Sequence, residues 1–365
     1  MKRLLAAALA FLAVSLNVPC LAQSAAGGIL ASYAIPKTAV RGTGVKLIVY
    51  TNSGEAGRKE WLAQRAAKDG FSITVLYGGG SEIVVRLLGE KANPICDVVY
   101  GLNSIFWERL KATNLLVPYK VDWAQDVSKG LNDPQGCYYA IAKQAILLAY
   151  DKKAFPNGDA PNDWLQLWND KRYFGKYETQ RELGGGTTLC VLAGVLTRYL
   201  DPKGDLGVSD EGWNQIKLYF QHGVPSSLEN SDLYAEMSDK SNTIKAGQMW
   251  SSGVAEREKM YGIDSGYAVP KIGIPYVTEA VGVINKKDSR TRDEAVRFAD
   301  WLGSAQIQAE WTLKFGGMPA NTVAARVADK RQAEMCSIPA QDIKWDVVSK
   351  YIDKWCEKIM LEYMP

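Results

Sequence analysis

The chain has 365 residues, of which 47% are apolar and 23% charged, with a formal net charge of +3. That length and balance predict a globular protein of two ordinary domains with an ample core. No basic run interleaves with aromatic residues, which argues against a nucleic-acid partner.

In chain order, Lys2 and Arg3 precede an apolar run over 4–14 and the small-residue site Cys20-Leu21-Ala22. This predicts a secretory signal peptide over 1–22, cleaved after Ala22, with the apolar run too short to span a membrane. Pro19 before Cys20 argues against lipid attachment at that cysteine. Removing the leader leaves 41 basic against 40 acidic residues. Residues 45–50 and 71–77 then read as β-strands, each followed by a helix, and 97–100 as a third strand before a helix over 105–116. Strand, loop and helix alternate three times in some seventy residues, the rhythm of an open, largely parallel sheet.

The middle differs. Residues 138–150 form a long apolar run, and 164–168, 187–200, 211–220 and 233–246 read as helices. Extended chain returns over 267–285, bent at Pro270 and Pro275, and helices follow over 293–302 and 305–315. A last amphipathic helix over 343–360 carries Trp345, Val348, Ile352, Trp355 and Ile359 on one stripe.

Five cysteines remain after cleavage, with no metal-finger spacing. Cys96 and Cys190 sit in apolar runs as small hydrophobes, while Cys336 and Cys356 share the tail and are candidates for a bridge. The single histidine, His222, precedes Gly223 at a helix end, and no nucleophile elbow, P-loop or dinucleotide fingerprint occurs. No catalytic residue, cofactor or metal is predicted, and a secreted hydrolase is the rival class.

Two glycine turns open onto helices, Gly78-Gly79-Gly80-Ser81 and Gly184-Gly185-Gly186-Thr187-Thr188. Free N–H groups and the helix dipole make such termini good anion sites, although the same glycines also serve simple tight turns.

Four segments together resemble a known family: VYTNSGEAG (49–57), GGGSEIVVRLLGEKANPICDVVYGLN (78–103), ILLAYDKKAF (146–155) and AVRFADWLGSAQIQAEW (295–311), the last before a Gly316-Gly317-Met318-Pro319-Ala320-Asn321 turn. The chain is similar to class II periplasmic solute-binding proteins of ABC transporters, in the cluster of ferric-iron, thiamine, phosphonate and hexose-phosphate binders. The resemblance implies an α/β, two-lobed type II periplasmic-binding-protein fold with two hinge crossovers and a ligand cleft between the lobes. Lobe one would take 28–138 and 269–365, and lobe two 139–268. It implies a monomer in the periplasm that hands a small-molecule ligand to a membrane-embedded ABC permease.

By that resemblance the ligand-binding positions are Asn52, Ser53 and Asn103 on one wall and Trp250 and Ser251 on the other. Glu279 is placed to answer a hydroxyl or an amine. The glycine turns add Gly79, Gly80, Ser81, Gly186, Thr187 and Thr188. The places where iron binders carry acids and tyrosines read Thr51-Asn52-Ser53, Tyr100-Gly101-Leu102-Asn103 and Gln248-Met249-Trp250-Ser251-Ser252. Ferric iron needs hard anionic donors, so it is disfavoured. A phosphorylated or otherwise anionic organic ligand is expected, with thiamine or its phosphates as the alternative.

Overall fold

The computed structural model describes residues 19–227 and 232–365. Most of the leader expected over 1–22 lies outside the described residues, and α1 (Pro19–Ser32) runs through the expected cleavage position.

The first sheet is built from β1 (Lys46–Thr51), α2 (Arg58–Lys68), β2 (Ser72–Tyr77), α3 (Gly80–Gly89), β3 (Val98–Gly101) and α4 (Ser104–Ala112). Strand β1 pairs in parallel with both β2 and β3, so that Val49 lies opposite Val75 and Val98. Parallel pairs need crossover helices, and these cover the sheet on both faces. The alternation of β1 shows the result: Leu47 and Val49 enter one buried cluster, Ile48 and Tyr50 another.

From this sheet the chain leaves along β4 (Tyr138–Asp151), a strand of 14 residues that serves two sheets. It continues through α5 (Gln166–Asn169), β5 (Glu178–Thr179), α6 (Gly186–Leu196), β6 (Leu200–Asp205), α7 (Asp210–His222), β7 (Val224–Pro225), α8 (Leu233–Ser238), β8 (Ala246–Trp250), α9 (Val254–Tyr261) and β9 (Ser265–Tyr267). It returns along β10 (Tyr276–Val283), then α10 (Ser289–Gly303), α11 (Ala305–Phe315), β11 (Met318–Pro319), α12 (Lys330–Met335) and α13 (Trp345–Glu362). The first part of β4 pairs with β10 and β11, while its later residues pair with β8 and β9. β10 lies antiparallel to both β3 and β4, and so joins the two regions.

The helix expected over 233–246 is shorter than its sequence suggests. Helix α8 ends at Ser238, and Ala246 already opens β8 because ladder pairing with β4 overrides local helix propensity. The tail reaches both regions, for α13 shares its core with Ile105 of α4 and pairs Asp353 with Arg109 at 2.6 Å. Val348, Ile352, Trp355 and Ile359 of α13 share a core with Leu192, Val195 and Trp213, and Cys336 and Ile338 share one with Leu147 and Met249. The bridge between Cys336 and Cys356 is not formed, for the two thiols lie in different clusters and both are free.

Candidate functional site

The loop after β1 meets the loop after β3 through one side chain. Asn52 Oδ1 accepts the Leu102 N–H at 2.6 Å. Close packing here requires glycine at 101, whose φ is +87° and whose Cβ would lie 2.3 Å from Asn52 Oδ1. Leu102 follows with a φ of +54°, a strained conformation for leucine. Asn103 then caps α4, its Oδ1 accepting the Phe106 N–H at 3.1 Å.

These asparagines bring the two glycine turns together. A Cβ on Gly80 would stand 3.5 Å from Asn52 Nδ2, and one on Gly186 3.5 Å from Asn103 Nδ2. Gly79, Gly80 and Ser81 therefore face Gly184, Gly185 and Gly186 across a chamber of about 350 Å³, which Glu279 also lines. Gly79 and Gly185 are extended N-caps without a side-chain cap bond. The first-turn N–H groups of α3 and α6 find no intrahelical acceptor. Glu82 Oε2 accepts from the Gly79 N–H at 3.2 Å, which occupies one donor just ahead of α3.

A second chamber of about 490 Å³ adjoins the first at Asn52 and Glu279. Its aromatic lining comes from Trp250, Trp311 and Phe315, and its cations are Arg58 and Arg257. Arg257 is stacked on the Trp250 ring at 4.5 Å and paired with Asp232 at 2.8 Å. Arg58 lies over Phe315 at 5.2 Å, and its Nη1 donates to the Glu55 carbonyl at 3.4 Å. A polar chain crosses the chamber. Ser252 Oγ donates to Gln144 Oε1 at 2.8 Å, Gln144 Nε2 to Glu279 Oε1 at 3.0 Å, and Ser53 Oγ to Glu279 Oε2 at 2.8 Å. Burial pushes the nearby Tyr100 phenol well above its usual value, so it stays neutral at physiological pH.

Nine of the twelve residues singled out in the sequence thus line the two chambers. The other three do not. Thr187 lies outside both linings, on the first turn of α6. Thr188 is buried and its Oγ1 accepts from Gln248 Nε2 at 2.8 Å. Ser251 is 1% exposed and its Oγ accepts from Gln332 Nε2 at 2.9 Å, leaving Ser252 to face the cavity. Sequence reading missed Gln144, Ser252, Arg58 and Arg257. Arg58 carried one signal, because a cation in the first turn of a helix opposes the dipole and asks for another reason to be there.

Residues 93–350 match the model of the bacterial extracellular solute-binding protein family. A probable ABC transporter periplasmic-binding protein of Sinorhizobium fredii is 34% identical over 322 residues, covering 87% of this chain and 86% of that protein. The ferric binding protein of Campylobacter jejuni superposes with a TM-score of 0.70 at 16% identity, covering 87% of this chain and 99% of that one. The periplasmic binding protein AfuA of Actinobacillus pleuropneumoniae, with fructose-6-phosphate bound, gives 0.67 at 17% identity, covering 87% and 98%. The fold is the two-lobed α/β architecture of these periplasmic binding proteins.

Proposed function

The chain belongs to the bacterial extracellular solute-binding proteins that serve ABC transporters, and on that premise we propose that its ligand is a small organic anion, phosphorylated or otherwise acidic. The observation that carries this reading is the meeting of two uncapped helix N-termini, from turns about a hundred residues apart, in one chamber. Their N–H groups and dipoles favour a negative group placed between them. The fructose-6-phosphate bound by AfuA is a ligand of this chemistry.

Three rival ligand chemistries fit less well. Ferric iron needs several hard anionic donors, and among the described residues no three His, Cys, Asp or Glu side chains gather as one group. The Trp250 ring already carries the Arg257 guanidinium, which competes with a cation such as thiamine. For a hydrolase, the only histidine is engaged elsewhere, its Nδ1 3.0 Å from the Trp168 carbonyl and its ring stacked on Phe174.

In this reading the leader over 1–22 is removed and the mature chain is a periplasmic monomer that docks on a membrane permease. Lobe one takes 28–138 with 269–365, and lobe two takes 139–268. The tail packs on both lobes, for α13 shares a core with Ile105 of α4 as well as with Leu192 and Trp213, and Asp353 pairs with Arg109. Native mass spectrometry of the purified chain tests the ligand class. An acidic organic solute is the expected co-purifying mass, and a ferric ion or a neutral sugar overturns the reading.

A further inference from the structure

Glu279 stands where the two chambers meet, and its carboxylate has no ion-pair partner among the described residues. Half-buried on β10, it receives only neutral donors, Ser53 Oγ on one oxygen and Gln144 Nε2 on the other. A carboxylate has about four acceptor positions, so each oxygen retains room for a further donor. What it lacks is a cation. The imbalance extends to the linings, where Glu55, Glu82, Glu256 and Glu279 face only Arg58 and Arg257. Arg257 is already neutralised by Asp232, and the glycine-turn chamber has no lysine or arginine in its lining.

A simple anion seated against the glycine turns would gain the helix N–H groups but meet the Glu279 charge with no side-chain cation in that chamber's lining to offset it. Like charges in a partly desolvated site repel strongly. A solute that carries its own positive group removes that penalty and fills the vacant acceptor positions of Glu279. We propose that the ligand is a zwitterion, with its acidic group against the glycine turns and an ammonium group received by Glu279. A neutral hydroxyl would only add a third neutral donor and leave the charge uncompensated. The proposal rests on the acid-binding reading given above.

Matched pairs that differ only in the amine test it: 2-aminoethylphosphonate against ethylphosphonate, phosphoethanolamine against ethyl phosphate, and glucosamine 6-phosphate against glucose 6-phosphate. Calorimetric titration of the unaltered chain should show the amine-bearing member of at least one pair binding about ten- to hundredfold tighter, the range of a charge-assisted hydrogen bond. Glu279→Gln, checked for an unchanged melting transition, should abolish that preference from both sides, weakening the amine-bearing member and tightening the amine-free one by removing the like charge. Equal affinity within every pair, or a preference that survives Glu279→Gln, overturns the zwitterion and leaves the acid-binding reading in place. Failure of every acid-bearing compound to bind overturns both. If Glu279→Gln does not fold, the comparison within each pair on the unaltered chain still decides.

Discussion

The Ser53 hydroxyl donates to Glu279 Oε2 at 2.8 Å, a bond between residues 226 positions apart. Through Gln144 and Ser252 the same chain of hydrogen bonds continues from the loop after β1, across the long strand β4, to the end of β8. Both walls of the cavity are thus tied to the strands that connect them, and β10 departs from regular register between Glu279 and Ala280.

The two glycine turns should respond differently to loss of their hydroxyls. Ser81 lines the chamber, so Ser81→Ala should weaken binding of an acidic ligand about tenfold, read by calorimetry. Thr188 instead accepts from Gln248 in a buried bond. Thr188→Ala should leave affinity within about twofold and cost about 1 kcal/mol of stability in a denaturant titration.

Gly80 matters for space. A Cβ there would approach the Phe106 ring at 3.0 Å and Asn52 Nδ2 at 3.5 Å, so the neighbours must give way into the chamber. Gly80→Ala should reduce affinity while changing the melting temperature little. Retention of full affinity would show that the ligand does not approach this turn.

Arg58 should act on the approach of the ligand more than on its final hold. It lines the open second chamber and makes no ion pair among the described residues. Unpaired charge at an entrance steers diffusional encounter and is screened by salt. Stopped-flow binding by Arg58→Ala should show a slower association rate with a shallower dependence on ionic strength. Global stability should be unaffected.

Gly101 is the stability test of the site. Alanine at a φ of +87° costs about 1–2 kcal/mol, and its Cβ would sit 2.3 Å from Asn52 Oδ1. Asn52 would then release the Leu102 N–H, an added loss of about 1–3 kcal/mol. Gly101→Ala should lower stability by more than about 2 kcal/mol in a urea titration and weaken binding as well. Asn52→Ala should reproduce the second part alone.

The cysteines should stay reduced. Among the cysteines whose burial is described, Cys96, Cys137, Cys190 and Cys336 are buried and Cys356 is partly exposed. Burial raises the Cys190 thiol to about 12 and the Cys356 thiol to about 11, which makes both poor nucleophiles at neutral pH. A thiol probe on the folded chain should label Cys356 first. A melting temperature that falls on adding reductant would contradict the free-thiol state.

Much of this architecture could be read directly from residue order. Strand alternation in 45–50, the glycine stops and the stripe on α13 are local patterns set by periods of 2 and 3.6 residues. They placed β1, β2, β3 and α11 within a residue or two of where they lie. The glycine turns were legible as helix starts with free N–H groups, whereas Asn52 and Asn103 were singled out only through the family resemblance. Where pairing between distant segments decides, as at the start of β8, the same local reading failed.

What the sequence determined by itself was which groups each loop could offer. It supplied two sets of free helix N–H groups, one carboxylate at 279 and neutral amides at 52 and 103. Only the tertiary structure decided which of these point into the same space. Neighbouring residues on a turn point in different directions, so Ser251 and Thr188 went to the core while Ser252 went to the cavity. Gln144 became a central link because β4 passes between two sheets, a position that no local pattern marks. The charge balance around Glu279 is likewise a sum over residues from both regions of the chain, fixed by packing and not by their order.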